Sequence, residues 1–320
     1  MTKVAAAGLA AIGQTPLVRL RSMESAGGAE IWAKWEGANP TGSMKDRMAA
    51  GMIAHGEATG ALRPGMRVVE YTGGSTGSSL AMVCAAKGYR SHMVTADCFA
   101  QEKTQTMRAF GAQVEVLRSD GGMVTPELFD RFKARIKELA AEPRTWWCQQ
   151  FVNPGNVAGY HDLGREIVHQ LGVVDGFTMG VGTGGAFSGV AEILKDANPS
   201  TRCVAVEPAS SRNLSGGALG AHRLEGIGVG FLPASARLDL ADHIEGVTDD
   251  AAFSAARALA HAEGLFTGPT SGANVVAAQA LARRFGPGTK VVTILVDTGL
   301  KYLAGDLYAA SNPAAPAREG

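Results

Sequence analysis

Short apolar runs alternate along this chain with longer stretches whose apolar residues recur at helical spacing. Ile31-Trp32-Ala33-Lys34-Trp35 predicts a short strand, and the alanine- and methionine-rich stretch over 45–58 predicts a helix. Ahead of them, Thr15-Pro16-Leu17-Val18-Arg19-Leu20 predicts an edge strand opened by proline. Strands are then expected over 67–71, 91–95 and 113–117, with helices over 78–87, 102–110 and 126–141. A second series follows: helix 156–171, strand 176–180, helix 185–196, strand 202–206, helices 249–263 and 271–285, and strand 291–296. Strands separated by helices predict parallel sheets covered by helices. Two such series predict two α/β units with a ligand cleft between them. The glycine-rich piece over 215–230 interrupts the pattern and is expected to be a loop with packing or functional duties. The tail after Tyr308, rich in Ala and Pro, is expected to fray.

Composition narrows the class. The chain has 320 residues, enough for one large or two ordinary domains. Its 30 basic and 30 acidic side chains balance, which argues against a nucleic acid or an acidic membrane held by net charge. No run approaches the roughly 18 apolar residues of a membrane span, and the first residues show no signal peptide. Cys84, Cys98, Cys148 and Cys203 lie at no metal-ligand spacing and suggest no disulfide framework; a cytoplasmic enzyme is expected. The histidines include no H-E-x-x-H pair, so no metal is expected.

Candidate chemistry gathers at four places. Asn39-Pro40-Thr41-Gly42-Ser43-Met44-Lys45-Asp46-Arg47 links the strand at 31–35 to the helix at 45–58, with turn chemistry and Ser43 as a plausible N-cap. Lys45 then falls in the first helical turn, where the helix dipole disfavours a cation. It is either a surface lysine at a helix start or a lysine whose nitrogen is bonded to a carbonyl as an imine. Thr72-Gly73-Gly74-Ser75-Thr76-Gly77 contains G-x-S-x-G between strand and helix. That fits a hydrolase nucleophile elbow, with His243 or His261 as downstream partner, or an anion cradle holding a carboxylate. Gly182-Thr183-Gly184-Gly185-Ala186 is no dinucleotide fingerprint, because Phe187 stands where the third glycine is needed. It is either an ordinary tight turn or a cradle for one phosphate at a helix start. In Gly268-Pro269-Thr270-Ser271-Gly272-Ala273, Thr270 or Ser271 serves as N-cap or presents a hydroxyl to a ligand. A lysine, a phosphate loop, a carboxylate cradle and an isolated hydroxyl together suit pyridoxal 5'-phosphate.

These motifs resemble those of the cysteine synthase and cystathionine β-synthase family of fold-type II pyridoxal-phosphate enzymes, over roughly 13–308. The resemblance implies an α/β fold of two open, mostly parallel twisted sheets with helices on both faces, like the tryptophan synthase β chain, and an active site in the interdomain cleft. It implies a smaller mobile domain over 41–152, a larger cofactor-binding domain over 1–40 and 153–320, and a homodimer. Lys45 is implied as the catalytic, Schiff-base residue. Ser75, Gly182, Thr183, Gly184, Gly185, Ala186 and Thr270 are implied to hold the cofactor, Thr270 against its ring nitrogen. Thr72, Gly73, Gly74, Ser75, Thr76, Gln150 and Gly228 are implied to hold the substrate. Val206-Glu207-Pro208, Gly226 to Phe231 and Asp297-Thr298-Gly299 match further landmarks.

The implied activity is β-replacement on an activated serine-type amino acid through an aminoacrylate, as in joining O-acetylserine and sulfide to give cysteine. A β-eliminating lyase, of the cysteine desulfhydrase or serine/threonine dehydratase type, is the alternative; a catalytically silent binding protein of the same fold is a third. Departures from the family pattern bear on specificity. The carboxylate loop usually reads T-S-G-N-T-G; here Gly73 replaces serine and Ser75 replaces asparagine. Loss of the serine side chain at 73 predicts a roomier, less polar pocket near the β-carbon. Ala186 stands where threonine is usual, and Thr270 where serine is commoner.

Overall fold

The computed structural model describes residues 7–122 and 125–309. A short helix α1 (Ala7–Ala10) precedes two strands, β1 (Leu17–Arg19) and β2 (Glu30–Trp35), and the helix α2 (Lys45–Ala58). The chain then runs β3 (Arg67–Tyr71), α3 (Ser75–Lys87), β4 (Arg90–Ala96), α4 (Gln101–Ala109), β5 (Gln113–Leu117), α5 (Pro126–Ala140) and β6 (Thr145–Trp147). It continues through α6 (Pro154–Ala158), α7 (His161–Leu171), β7 (Gly176–Gly180), α8 (Gly185–Ala197) and β8 (Arg202–Pro208). A long connection leads to β9 (His243–Val247), α9 (Asp249–Ala258), α10 (Pro269–Ala282) and β10 (Lys290–Leu295).

The strands form two sheets. One has four strands in the order β5-β4-β3-β6; the other has six, β1-β2-β10-β7-β8-β9. Every pairing is parallel except β1 with β2 at the edge. The expected α/β fold with two mostly parallel sheets is what the chain adopts. β2, made early, lies between β1 and β10, and Glu30 to Trp35 pair in register with Lys290 to Leu295. Parallel strands covered on both faces are near-continuous apolar runs, which is why β3, β4, β7, β8 and β10 are buried along almost their whole lengths.

The largest apolar cluster is continuous through both halves. Met44, Met48 and Met52, from the start of α2 and the residue before it, join Leu80, Val83 and Met93 of the four-stranded half to Phe177, Val190 and Ile294 of the six-stranded half. The lysine helix is therefore the shared wall of the two sheets. Unbranched, flexible methionine suits a seam between surfaces of different shape.

Some boundaries differ from expectation. α3 starts at Ser75, three residues before the expected 78, because Gly74 at φ +129° turns the chain directly into the helix. The helix expected over 156–171 is two helices, broken where Gly159 abuts the lysine helix: a Cβ there would stand 2.6 Å from the Arg47 carbonyl oxygen. The helix expected over 249–263 closes in a wider π turn, Leu259–Glu263. α10 spans Pro269–Ala282 in place of 271–285, since proline at its first position fixes a helical φ. β6, of three residues, and β9, with no buried run or alternation, are strands that periodicity does not detect. The expectations for the N-terminal residues 1–6 and for the tail beyond 309 lie outside the described residues.

Candidate active site

The loop from β2 to α2 is fixed at several points. Asp46, in the first turn of α2, reaches back and accepts from Thr41 N–H at 2.8 Å and from the Thr41 hydroxyl at 2.6 Å. Gly42 has φ +71°, and a Cβ there would stand 2.5 Å from Thr298 Cγ2, so only glycine threads this turn. Met44 N–H donates to the Val296 carbonyl at the end of β10. The N-cap position falls on Met44, which offers no side-chain cap; Ser43, the expected cap, accepts from Lys45 N–H at 3.3 Å instead.

Lys45 is the first residue of α2 and is half-buried. Burial lowers its ammonium to about 8, against the opposing pull of the Asp297 carboxylate. A lysine of that kind has a far larger neutral fraction near physiological pH than a surface lysine, and the neutral amine can attack a carbonyl. Beneath it Arg47 is clamped between Glu36, at 2.7 and 2.9 Å, and Glu166, at 2.7 and 2.9 Å. Lys34 on β2 reaches the same Glu166 at 2.7 Å and the Thr15 carbonyl at 2.6 Å. Two buried cations thus meet two carboxylates, and the helix bearing Lys45 is tied to β2 and α7.

The loop 72–76 sits at the carboxyl end of β3. The Thr72 hydroxyl oxygen accepts from Gly74 N–H at 2.9 Å and Gly77 N–H at 3.3 Å, so it shapes the loop. Ser75 and Thr76 occupy the first turn of α3, where backbone N–H groups have no intrahelical acceptor. Gln150 is buried beside the loop; its amide donates to the Tyr71 carbonyl at 2.7 Å and its N–H to Glu70 at 2.9 Å. Burial raises Glu70 to about 7 despite the N–H donors of Gln150, Tyr71 and Trp147 around it. α3 meets the lysine loop through Thr41 and Ser79, whose hydroxyl oxygens are 3.3 Å apart.

One expectation for this loop is corrected. Gly73 is exposed, but the space its side chain would take is not empty: a Cβ there would stand 3.1 Å from Cε1 of Phe99. The loop is less polar there without a serine, but the Phe99 ring stands beside the place a side chain would take, so the site is not roomier by a whole side chain. The β4–α4 turn that carries Phe99 is held by Asp97, which accepts from Ser119 N–H at 2.8 Å.

The loop 182–186 follows β7 and is buried throughout. Gly184, at φ +90°, is the cap residue of α8 and no side chain caps that helix. A Cβ on Gly182 would run into the Gly226 carbonyl, one on Gly184 would stand 2.5 Å from Ala236 N, and one on Gly185 would strike Asn156 Oδ1. Only glycine fits, and the uncapped N–H groups of α8 form an anion cradle. The Thr183 hydroxyl meets only the sulfur of Met48, at 3.8 Å, one turn along α2 from Lys45. This contact sets the cradle against the lysine helix.

Thr270 lies buried in the first turn of α10, beside Gly180, and its hydroxyl donates to the Glu225 carbonyl at 2.8 Å. Ser271 is occupied otherwise, accepting from Val296 N–H at 2.9 Å. Gly228, at φ +65°, sits where its N–H reaches the Val181 carbonyl at 3.4 Å. Among the described residues no histidine bonds to Ser75. His243 opens β9 at the amino end of the sheet and pairs with Glu245 at 3.3 Å, and His261 is exposed; the elbow reading has no base.

The expected site residues therefore converge at the carboxyl ends of the two sheets, where open α/β sheets place ligands. Several residues there went unrecognised in the sequence. Lys103 on α4 is buried, bonds Glu225 at 2.5 Å and lies 4.6 Å from the ring centre of Tyr302. Tyr302 in turn donates to Asp297 at 2.7 Å. Burial raises the Asp297 carboxyl, with Lys103 and Lys301 opposing. Phe99 and Asn156 stand in no motif, and Glu225 lies in the glycine-rich piece 215–230 without any spacing that singles it out.

The chain is similar to known proteins over most of its length. The family model described as pyridoxal-phosphate dependent enzyme matches residues 9–297. A cysteine synthase of Staphylococcus aureus is 40% identical over 303 residues, covering 93% of this chain and 95% of its own. Among solved structures, O-ureido-L-serine synthase superposes with a TM-score of 0.89 at 32% identity, over 97% of this chain and 96% of that one. The O-acetylserine dependent cystathionine β-synthase of Helicobacter pylori gives 0.88 at 37% identity, over 96% and 100%.

Proposed function

The chain belongs to the family of pyridoxal-phosphate dependent enzymes, in its cysteine synthase group, and from that premise we propose β-replacement on an activated serine-type amino acid. The carrying observation is the Thr183–Met48 contact, which sets an uncapped, glycine-only helix start one turn from a lysine whose ammonium is lowered to about 8. The residues present fit the cofactor: an anion cradle for its phosphate, an amine for its carbonyl and a neutral hydroxyl for its ring nitrogen. When bound, pyridoxal phosphate supplies an electron sink for charge developing at the substrate Cα.

In this reading Lys45 would hold the cofactor through its carbonyl carbon, and once the substrate amine takes that place the released Lys45 amine would accept the proton from Cα. The N–H groups of Gly182 to Ala186 and the Thr183 hydroxyl hold the phosphate, and Ser75 lies toward the ring. Thr270 is an uncharged hydroxyl and not a carboxylate, so it would not hold the ring nitrogen protonated, which would favour loss of the β-substituent. Thr76, Gln150 and the first-turn N–H groups of α3, with Thr72, Gly73 and Gly74, hold the substrate carboxylate; Gly228 borders the substrate from the opposite side. The halves 41–152 and 1–40 with 153–320 act as a smaller mobile domain and a larger cofactor-bearing one, in a homodimer. The separate sheets support that division. No helix among the described residues is long and apolar enough to cross a membrane, and the four cysteines are unpaired, in keeping with a cytoplasmic place.

The relatives' names differ in product, so the assay is a screen. Protein loaded with pyridoxal phosphate is mixed with O-acetylserine and larger β-substituted alanines, with and without sulfide or thiols. Replacement products are expected only with a nucleophile present. Keto acid formed at the same rate with or without nucleophile would favour elimination. Lys45→Ala should abolish the visible band of the loaded protein and lower turnover by orders of magnitude; near-parent turnover would remove Lys45 from the centre of the reading.

A further inference from the structure

The segment over 223–236 belongs to the connection between β8 and β9 of the six-stranded half, yet its contacts reach across to the other half. Glu225 is bonded by Lys103 of α4 at 2.5 Å. Phe231 packs edge-on against Phe151, ring centres 5.0 Å apart, and against Phe129 of α5 at 6.2 Å. The Ser235 hydroxyl donates to the Phe151 carbonyl at 3.1 Å. Both ends of the segment are thus fastened to the four-stranded half.

Near both of its ends the same segment also touches the cofactor side. The Gly226 carbonyl leaves no room for a side chain at 182, and Ala236 leaves none at 184. The Glu225 carbonyl receives the Thr270 hydroxyl at 2.8 Å. Between the fastenings, Gly226, Gly228 and Gly230 have φ of +101°, +65° and +79°. Alternate left-handed glycines let this strap follow a shift of the four-stranded half without strain.

A hydroxyl carries one proton. While Thr270 gives it to the Glu225 carbonyl, only its lone pairs face a group at the start of α10; if that carbonyl withdraws, the proton is free to point there. We propose that Lys103 and Glu225 are positioning residues: their pair couples the placement of the four-stranded half to the orientation of the Thr270 hydroxyl. Lys103 is 3% exposed and its partner side chain 33%, so the pair is shielded on one side and reachable on the other. The inference rests on the cofactor reading above for what Thr270 faces, but the strap itself does not.

The test uses full-length Lys103→Met, Glu225→Gln and the double variant, with Lys103→Arg as the conservative control. In cofactor-free protein, hydrogen exchange over 223–236 should quicken on the order of five-fold in each single variant. The double should be no faster than the singles, and Lys103→Arg should stay near the parent. In loaded protein the same variants should shift the visible band and lower kcat more than KM. Unchanged exchange in both single variants would overturn the coupling, as would additive effects in the double. If exchange behaves as expected but the protein takes up no pyridoxal phosphate, the strap stands and the cofactor reading falls. Exchange as expected with an unmoved band would overturn the Thr270 link. Thermal unfolding of Glu225→Gln checks that its effects are local.

Discussion

At the scale of single residues, Lys45 joins a helix start, burial and a nearby carboxylate, and the balance fixes its reactivity. Its ammonium sits at about 8, below the ordinary lysine value, so the amine becomes neutral at lower pH than a surface lysine. Capture of pyridoxal phosphate by the apo-protein should rise with pH through about 8 and level off above it. Asp297 opposes the lowering, so Asp297→Asn should move the midpoint down. Stopped-flow absorbance across pH measures both, and a midpoint near 10 would show that Lys45 is not held as described.

Gly73 teaches a different lesson. A missing side chain in a motif reads as vacant space, and here the Phe99 ring stands beside it. Gly73→Ser alone must push Phe99 aside and should narrow the range of β-substituents accepted. Phe99→Ala should widen it, and the double variant should approach a serine-type preference. Comparing kcat/KM for small and large β-substituted alanines decides this. The same preference order in all three variants would remove both residues from the specificity argument.

At the scale of elements, the helix starts carry the chemistry. Thr183→Val keeps the shape of the α8 start and removes its hydroxyl. A lost hydrogen bond to a charged group is worth about 1.5–3 kcal/mol, so affinity for pyridoxal phosphate should fall roughly ten- to a hundredfold. The apo-protein's melting temperature should stay near the parent, because that hydroxyl meets only a methionine sulfur. Gly184→Asp is a poorer probe, since φ +90° and the Ala236 backbone 2.5 Å away would strain the fold itself.

The joint of β2, α2 and α7 has its own pH signature. Burial would raise Glu166, but the hydrogen bonds from Arg47 and Lys34 outweigh it and hold its carboxyl at about 2. A depressed carboxyl contributes stability above its unfolded value that is lost as pH falls toward the folded one. Stability should therefore drop between about pH 4.5 and 2, by about 3 kcal/mol at most from this group. Glu166→Gln should flatten that part of the curve while destabilising the protein at neutral pH. Equilibrium unfolding at several pH values measures it, and an unchanged acid limb would assign the loss to other carboxylates.

At the scale of the whole molecule, the alternation of strands and helices is legible because strands buried on both faces must be apolar throughout. β3, β4, β7, β8 and β10 are that kind, whereas β6 has only three residues and β9, as long as β3, is too exposed to show. The site loops are legible because helix starts that approach ligands or backbone need glycine, and that requirement is local. Contacts between distant parts are not local. Lys103 and Glu225 are 122 positions apart, and nothing at either position announces the other. Phe99 is hidden for the same reason, since its place over Gly73 depends on how the β4–α4 turn is tied to Ser119.

The register of β2 against β10 carries a consequence for how the chain is made. β2 leaves the ribosome long before its parallel neighbour β10, since Glu30–Trp35 precede Lys290–Leu295 by most of the four-stranded and six-stranded halves. At bacterial or eukaryotic rates of translation, β2 waits roughly tens of seconds for its partner. Through that interval Ile31 and Ala33 lack Val291 and Leu295 of β10, and the α2 methionines, covered on one side by Leu80, Val83 and Met93, still lack Ile294 on the other. Nascent chains arrested before residue 290 should therefore be held by chaperones through the 30–52 region, and crosslinking there should fade once β10 has cleared the exit tunnel.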